Sequence, residues 1–425
     1  MALFLRDAAA AQGEGASGGG SDDMPPEIAS LLVSGDICWA PDVRRGSACC
    51  LGLQPYFQLD RAEVEWVRQR TRERTIEAAD TKVFRYIELF AGIGGFRLAI
   101  DALGGQCVFA SELTRDARDT YAANFGDRPH GDITEIEAED IPSFDFLTAG
   151  FPCQSFSRAG KQDGMNNSRG ALFFEVTRIL HHHQPRGFLL ENVNNLLKVD
   201  DGAAVALIDA ELAASGYHVE RFVLNSSDFG CPQLRERLFF LGVRNDLLPT
   251  HGLPERLLPG IQCSHRDARE GAQVSDWGMG CPCVRPGLPT RTVMRDFLEP
   301  DSEMTRECAL SPHQWENIQK SSEYLQQPGY RFVKLDGQAR TLTSCYKSGY
   351  LWHSEFVMQA SGLPRFFSHR ECGRIMGFPD DYTFDCNTDK NRWYHQIGNA
   401  VCPPVVKAVV ARFLEVYSLN SCPEV

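Results

Sequence analysis

Apolar and polar positions along this chain follow two alternating periods. Phe84–Phe90 is a short apolar run that ends in a glycine turn, and Phe96–Leu103 after it has helical spacing. The pair recurs as the run Cys107–Ala110 followed by the helix-like Thr114–Asn124. Further strand-like runs lie at Phe144–Ala149, Gly187–Leu190 and Phe239–Val243, and the helical stretches Leu172–His182 and Ala203–Ser215 fall between them. Strands alternating with helices predict an α/β domain over 83–245, built on a doubly wound, mostly parallel sheet. The alternation breaks near Asn245. Residues 246–370 are rich in Pro, Gly and Cys without a clear period, and a second, smaller, irregular domain is expected there. Glu371–Met376 and Val405–Val416 look helical again, so 371–425 is expected to return to the first domain. Upstream, the Ala-, Gly- and Ser-rich residues 1–27 predict a disordered tail. Residues 28–82 form an extension without an assigned role, in which Asp60–Ala79 has a charged, helix-like pattern with Asp60 at the N-cap position.

Composition narrows the picture. An apolar fraction of 43% over 425 residues is enough to bury a sizeable core. No uninterrupted apolar run reaches the length of a bilayer span, so no membrane partner is expected. Met1–Leu5 lacks the charge and the apolar core of a secretory signal. A net charge of −13 argues, taken alone, against a nucleic-acid partner, because phosphates are neutralised by Lys and Arg. A local basic cleft would suffice, however. The 15 cysteines are scattered and read as reduced thiols. Cys38, Cys49 and Cys50 suggest no chemistry. Cys263, His265, Cys281 and Cys283 have Cys-x-His and Cys-x-Cys spacing rather than the usual zinc-ligand spacing, and no metal site is assigned. His181–His183 ends a helical stretch, where dipole capping is the ordinary explanation.

Candidate chemistry sits at the strand ends. In Glu88-Leu89-Phe90-Ala91-Gly92-Ile93-Gly94-Gly95-Phe96, the glycines permit a tight turn beside a ligand. Glu112 follows the second strand, where a carboxylate could accept both ribose hydroxyls of a nucleoside cofactor. Asp132-Ile133 follows Gly131; the Asp could accept from an adenine amino group or simply hold a turn. Cys153, in Gly150-Phe151-Pro152-Cys153-Gln154, comes directly after a strand, where open sheets bind ligands, and precedes the polar, glycine-containing loop Ser155–Arg169. Glu191 ends an apolar strand, a setting that raises a carboxyl pKa. Arg235 and Arg237 would share one face of an extended segment.

In this order the residues resemble the C5-cytosine DNA methyltransferase family. The resemblance runs over roughly 83–417 and includes Phe151-Pro152-Cys153-Gln154, Glu191-Asn192-Val193, Gln233/Arg235/Arg237, Arg340-Thr341-Leu342-Thr343, Arg370-Glu371-Cys372 with Met376-Gly377-Phe378-Pro379, and Gln396-Ile397-Gly398-Asn399-Ala400-Val401. It implies a Rossmann-like methyltransferase fold with target recognition in 246–370, and S-adenosylmethionine as cofactor. Phe90, Gly92, Gly94, Glu112, Asp132, Ile133, Pro152, Leu172, Asn399 and Val401 would line the cofactor pocket. Cys153 would be the nucleophile toward C6 of a flipped-out cytosine, Glu191 would hold N3 and N4, and Arg237 would reach O2 with support from Arg235. The implied partner is DNA, bound by a monomer. A tRNA-methylating branch of the family stays open, because Ser344–Gly349 looks somewhat like its members. A catalytically silent nucleic-acid-binding protein would have no need of the full set of motif residues. An NAD enzyme would share the turn and Glu112 but gives no reason for Cys153, Glu191 and the arginines. Low-complexity extensions are commoner in eukaryotic proteins, which makes the nucleus the expected compartment.

Overall fold

The computed structural model describes residues 38–42, 47–51, 84–152, 171–248, 257, 292–300, 302–351, 354–384 and 390–417. By internal contacts the chain divides into two units, Met1–Lys82 with Pro379–Asp381, and Val83–Phe378 with Tyr382–Val425. In the first, β1 (Cys38–Asp42) and β2 (Ser47–Leu51) pair antiparallel, with Cys38 opposite Leu51. The tail expected over 1–27 and the helix expected over Asp60–Ala79 lie outside the described residues.

The second unit opens with β3 (Arg85–Leu89), α1 (Gly95–Asp101), β4 (Gln106–Ser111), α2 (Arg115–Phe125), β5 (Phe146–Ala149), α3 (Ala171–His183) and β6 (Gly187–Val193). After these come α4 (Ala203–Ala214), β7 (Tyr217–Asn225), β8 (Gln233–Leu234) and β9 (Glu236–Arg244). Six strands form one sheet in the order β4-β3-β5-β6-β9-β7. All its pairings are parallel except those of β9, which runs antiparallel to both β6 and β7. Helical crossovers keep the first four strands parallel, whereas only a short turn and β8 separate β7 from β9, so the chain reverses. The sheet is therefore doubly wound and mostly parallel, as the alternation predicts.

Alternate residues of each strand enter opposite cores. Tyr86, Phe146, Leu189 and Leu241 pack with Phe96 and Ile100 of α1 and with Val406 and Phe413 near the chain's end. Ile87, Leu147, Leu190 and Phe240 pack on the other face, against Val176 and Leu180 of α3 and Ile208 and Leu212 of α4. Burial on both faces explains continuous apolar runs such as Phe188-Leu189-Leu190. The strand β7, not expected from the sequence, lies at the sheet edge; its exposed or half-buried His218, Glu220 and Arg221 interrupt the apolar run.

Residues 292–378 are more regular than their composition suggests. They contain α5 (Glu303–Arg306), α6 (Pro312–Lys320), α7 (Ser322–Gln326), the two-residue strands β10 (Ala339–Arg340), β11 (Val357–Met358) and β12 (Pro364–Arg365), and α8 (His369–Ile375). β10 pairs with β8 in parallel, so this segment is tied to the strand that leads into β9. Met294, Leu342, Phe356, Phe367 and Ile375 share a third core with Trp393 and Ile397 of α9 (Lys390–Asn399) and with Ile93.

The polar pin of this core is Arg365, fully buried and bidentate to Glu371 at 2.7 and 2.8 Å. Glu371 also accepts from the amides of Glu299 (2.7 Å) and Ser368 (2.8 Å). Replacing one partner of a buried, hydrogen-bonded pair strands the other charge. Arg365→Leu is therefore expected to lower the unfolding free energy by about 3–5 kcal/mol in denaturant titrations. A loss below about 1 kcal/mol, the worth of an exposed pair, would contradict this assignment.

Arg392–Tyr417 has the length and hydropathy of a membrane-crossing segment. It is two helices, α9 and α10 (Pro403–Tyr417), broken after Asn399, and α10 is packed into the core beneath the sheet.

Candidate active site

The glycine turn leaves the carboxyl end of β3 with three residues at positive φ: Phe90 (54°), Gly92 (54°) and Gly94 (82°). At Gly94 a side chain has no room, because a Cβ there would run into the ring of Phe125. Gly92 faces the other way, and a Cβ built on it would meet nothing within 4 Å. The turn therefore has a floor of aromatic rings and opens onto free space. Glu112, at the end of β4, braces it: one carboxylate oxygen accepts from Gly92 N at 2.9 Å and the other from Thr114 N at 2.7 Å. A carboxylate has about four acceptor sites, so Glu112 retains capacity for a ligand's hydroxyls. Leu113 beside it is an apolar side chain left 67% exposed.

Of the other residues expected around a cofactor, Asp132, Ile133 and Val401 come close to the strand ends or the helix after the turn. The amide of Glu112 donates to the carbonyl of His130 (3.0 Å), which brings the following Asp132-Ile133 beside the end of β4. Asp132 caps a short turn through one oxygen, accepting from Thr134 N at 3.0 Å and from its hydroxyl at 2.9 Å. Ile133 is buried in the same core against which Phe90 packs. Arg178 of α3, the helix that carries half-buried Leu172, donates to the Ile133 carbonyl at 3.3 Å. From the chain's far end, Val401 meets the start of α1, where a Cβ on Gly95 would lie 2.8 Å from Val401 Cγ1. Asn399 is exposed at the end of α9, its amide 3.4 Å from the His395 ring.

Next to the turn, β5 ends beside β6, with Ala149 opposite Leu190. That register sets Gly150 beside Glu191. A Cβ on Gly150 would lie 3.9 Å from Glu191 Oε2 and 3.8 Å from the Phe96 ring of α1. Arg237 Nε donates to Glu191 Oε1 at 3.0 Å. Burial pushes the Glu191 carboxyl up and the Arg237 guanidinium down, and their mutual attraction offsets only part of each. A carboxyl so placed holds a proton more tightly than an exposed one.

Arg235 and Arg237 both act on the Glu191 carboxyl but make different bonds. Arg235 falls in the break between β8 and β9 and is almost fully buried. Its guanidinium donates to the carbonyls of Leu342 (2.8 Å), Gly398 (3.1 Å) and Ala400 (2.8 Å). It thus ties three distant segments together behind Arg237. Gln233 adds to this tie, accepting from Leu342 N at 2.8 Å and donating to Ile375 O at 3.1 Å. Gly398 is required for the approach, since a Cβ there would collide with the backbone of Thr343 and Ser344.

Cys153, the expected nucleophile, lies outside the described residues, as do the loop after it and Cys263, His265, Cys281 and Cys283. The structure describes the chain up to exposed Pro152, one residue short of Cys153. Here it adds a residue to which sequence reasoning gave no role. Asn192, buried next to Glu191, donates to the Phe151 carbonyl at 2.9 Å, and its own carbonyl accepts from Val193 N at 2.8 Å. It clamps the peptide two residues before Cys153. Misplacing a reacting group by about 1 Å can cost on the order of a hundredfold. Asn192→Ala is therefore expected to lower kcat by about ten- to a hundredfold while leaving cofactor affinity unchanged. Steady-state kinetics alongside a binding titration checks this, and an unchanged kcat would refute the clamp.

A model of the C-5 cytosine-specific DNA methylase family matches residues 84–415. Among curated relatives, the Type II methyltransferase M.DsaV of Dactylococcopsis salina is 33% identical over 347 residues, which is 80% of this chain and 89% of the relative. The Type II methyltransferase M.HhaI of Haemophilus parahaemolyticus is 32% identical over 347 residues, covering 79% and 96%. Among solved structures, the S. pombe Dnmt2 methyltransferase superposes with a TM-score of 0.59 over 78% of this chain and 98% of its own, at 21% identity, a likeness of fold. A family match spanning most of the chain and relatives of this similarity lead to one conclusion: the chain is a methyltransferase that belongs to the C-5 cytosine-specific DNA methylase family.

Proposed function

We propose that this protein transfers a methyl group from S-adenosylmethionine to C5 of a cytosine in DNA, through a transient bond between Cys153 and C6 of a base swung out of the helix. One observation carries the reading: Gly150, at the head of the segment leading to Cys153, lies between the helix that starts at the glycine turn and the carboxyl of the Glu191–Arg237 pair. A methyl donor on one side and a polar cradle for a base on the other would both face that segment.

The turn fits the cofactor by its own features. It opens at Gly92, Glu112 has acceptor capacity for ribose hydroxyls, and exposed Leu113 and half-buried Phe90 offer apolar contact to an adenine ring. Asp132 commits one oxygen to its turn, which leaves the other to accept from the adenine amino group. When bound, S-adenosylmethionine supplies an electrophilic methyl group on a sulfonium.

The remaining chemistry falls to the chain. C5 of cytosine is a poor nucleophile. Addition of the Cys153 thiolate at C6 pushes the ring electrons toward N3 and makes C5 an enamine carbon that accepts the methyl group. Loss of the C5 proton then restores the double bond and expels the thiol. Glu191, whose hold on a proton is strengthened by burial, would donate at N3 as negative charge develops, and Arg237 would supply positive charge toward O2. Arg235 keeps β8, β10 and the Gly398–Ala400 segment fixed behind them. Swinging the base out costs a few kcal/mol, which contacts from the Cys153 loop and the 246–370 segment would offset.

The test is transfer of labelled methyl from S-adenosylmethionine to purified duplex DNA and, in parallel, to tRNA. Label in the DNA, located at C5 of cytosine, is the expected result. Label confined to tRNA would move the protein to the RNA-directed branch, and label in neither, despite cofactor binding, would favour a catalytically silent binding protein.

A further inference from the structure

We propose that Glu88 is a positioning residue for the cofactor turn, which it supports as a neutral carboxylic acid, so that its ionisation weakens cofactor binding. The proposal rests on the reading of the turn as the S-adenosylmethionine site. Glu88 lies in β3 two residues before Phe90, has no solvent exposure, and has no part in the chemistry above. Its Oε2 accepts from the Tyr121 hydroxyl at 3.2 Å, and the amide of Phe96 in α1 is close enough to attract the carboxyl. Its Oε1 has no partner among the described residues. Both contacts bear on the turn. Phe96 begins the helix the turn leads into, and the Tyr121 ring packs against Phe125, with both rings flooring Gly94.

Of the groups facing Glu88, Tyr121, Arg97 and the Phe96 amide favour a charge on it and Asp101 opposes one, but burial outweighs them. The side chains facing it are Tyr121 from α2, Arg97 and Asp101 from α1, Cys107 from β4, Tyr86 from its own strand, and Tyr382 from the segment after α8. Arg97 is committed to Asp101 at 3.1 Å and Asp127 at 2.8 Å, and a hydrogen bond of 3.3 Å to the Tyr121 hydroxyl stands between it and Glu88. A carboxylate here would place charge on a buried oxygen with no donor, a large cost that the neutral acid avoids. Burial accordingly pushes the Glu88 carboxyl up to about 8, and Cys107 beside it up to about 12.

The experiment titrates S-adenosylmethionine into the full chain and its Glu88→Gln variant at about pH 7 and about pH 9. The amide keeps the shape of the neutral acid and cannot ionise. Both proteins should bind at the lower pH, and wild type should then lose about tenfold more affinity than the variant at the higher pH. The comparison cancels titration of the cofactor's own amino group, which falls near pH 8. Melting of the cofactor-free proteins gives an independent reading. Folded wild type holds a proton that the unfolded chain releases, so its stability relative to Glu88→Gln should fall as pH rises from about 5 to about 8 and then level off. Parallel pH profiles of the two proteins in binding and in melting would overturn the proposal. No binding by wild type at either pH would overturn the reading of the turn and the proposal with it.

Discussion

Cys153→Ala is expected to lose at least about four orders of magnitude in turnover, the scale seen when a covalent nucleophile is removed. Cofactor affinity should stay close to wild type, because the turn at Phe90–Gly95, Glu112 and Val401 is built from other elements. The loss is this large because the covalent step needs a thiolate at this position. Burial raises the proton affinity of Glu191, the carboxyl beside Gly150, which makes it a poor substitute nucleophile. Cys153→Ser tests the same point more finely, because it preserves shape but replaces a group that ionises near neutrality with one that does not. Serine should restore little activity. Retained methylation in either variant would refute the assignment of the nucleophile.

The second large effect is expected at Glu191. Glu191→Gln keeps the size of the side chain and its contact with Asn192's end of β6, but it cannot transfer a proton to N3. A loss of about a hundred- to a thousandfold in kcat is expected, as for removal of a donor aimed at developing charge. The pH dependence separates this role from a packing role. In the proposed mechanism the active form carries a proton on Glu191, whose affinity for it is raised by burial, so the rate should fall as pH rises through that titration. Arg237 opposes the rise by favouring the carboxylate. Arg237→Leu should therefore move the alkaline limb to higher pH while lowering the overall rate, and Glu191→Gln should lack that limb. A limb unmoved in both variants would assign it to another group.

The parts of the fold that could be read from the sequence are those where burial is symmetric. Phe188-Leu189-Leu190 and Leu238–Leu241 feed two cores in alternation, so they appear as unbroken apolar runs. β7 escaped notice because an edge strand tolerates His218, Glu220 and Arg221. Between 292 and 378 the helices are short and the strands two residues long, and stability comes from side-chain ties such as Arg365–Glu371, which leave no periodic trace. At the site, residue types at strand ends were legible, since a carboxylate or cysteine after an apolar run stands out. Their partners were not. Glu112 braces the turn it was expected only to face, and Arg235 reaches carbonyls 107 to 165 residues away. Asn192 lay within a noted motif, but its hydrogen bond to Phe151 depends on the register of β5 and β6.

The most direct test of the covalent account uses duplex DNA carrying 5-fluorocytosine at the target position, incubated with the full chain and S-adenosylmethionine. After methyl transfer the fluorine at C5 cannot leave as a proton does, so the protein should remain bonded to C6. The predicted result is a denaturant-resistant protein–DNA complex whose cross-linked peptide maps by mass spectrometry to Cys153. A protein that methylates ordinary cytosine in DNA yet forms no such complex, or bonds through another residue, would contradict it.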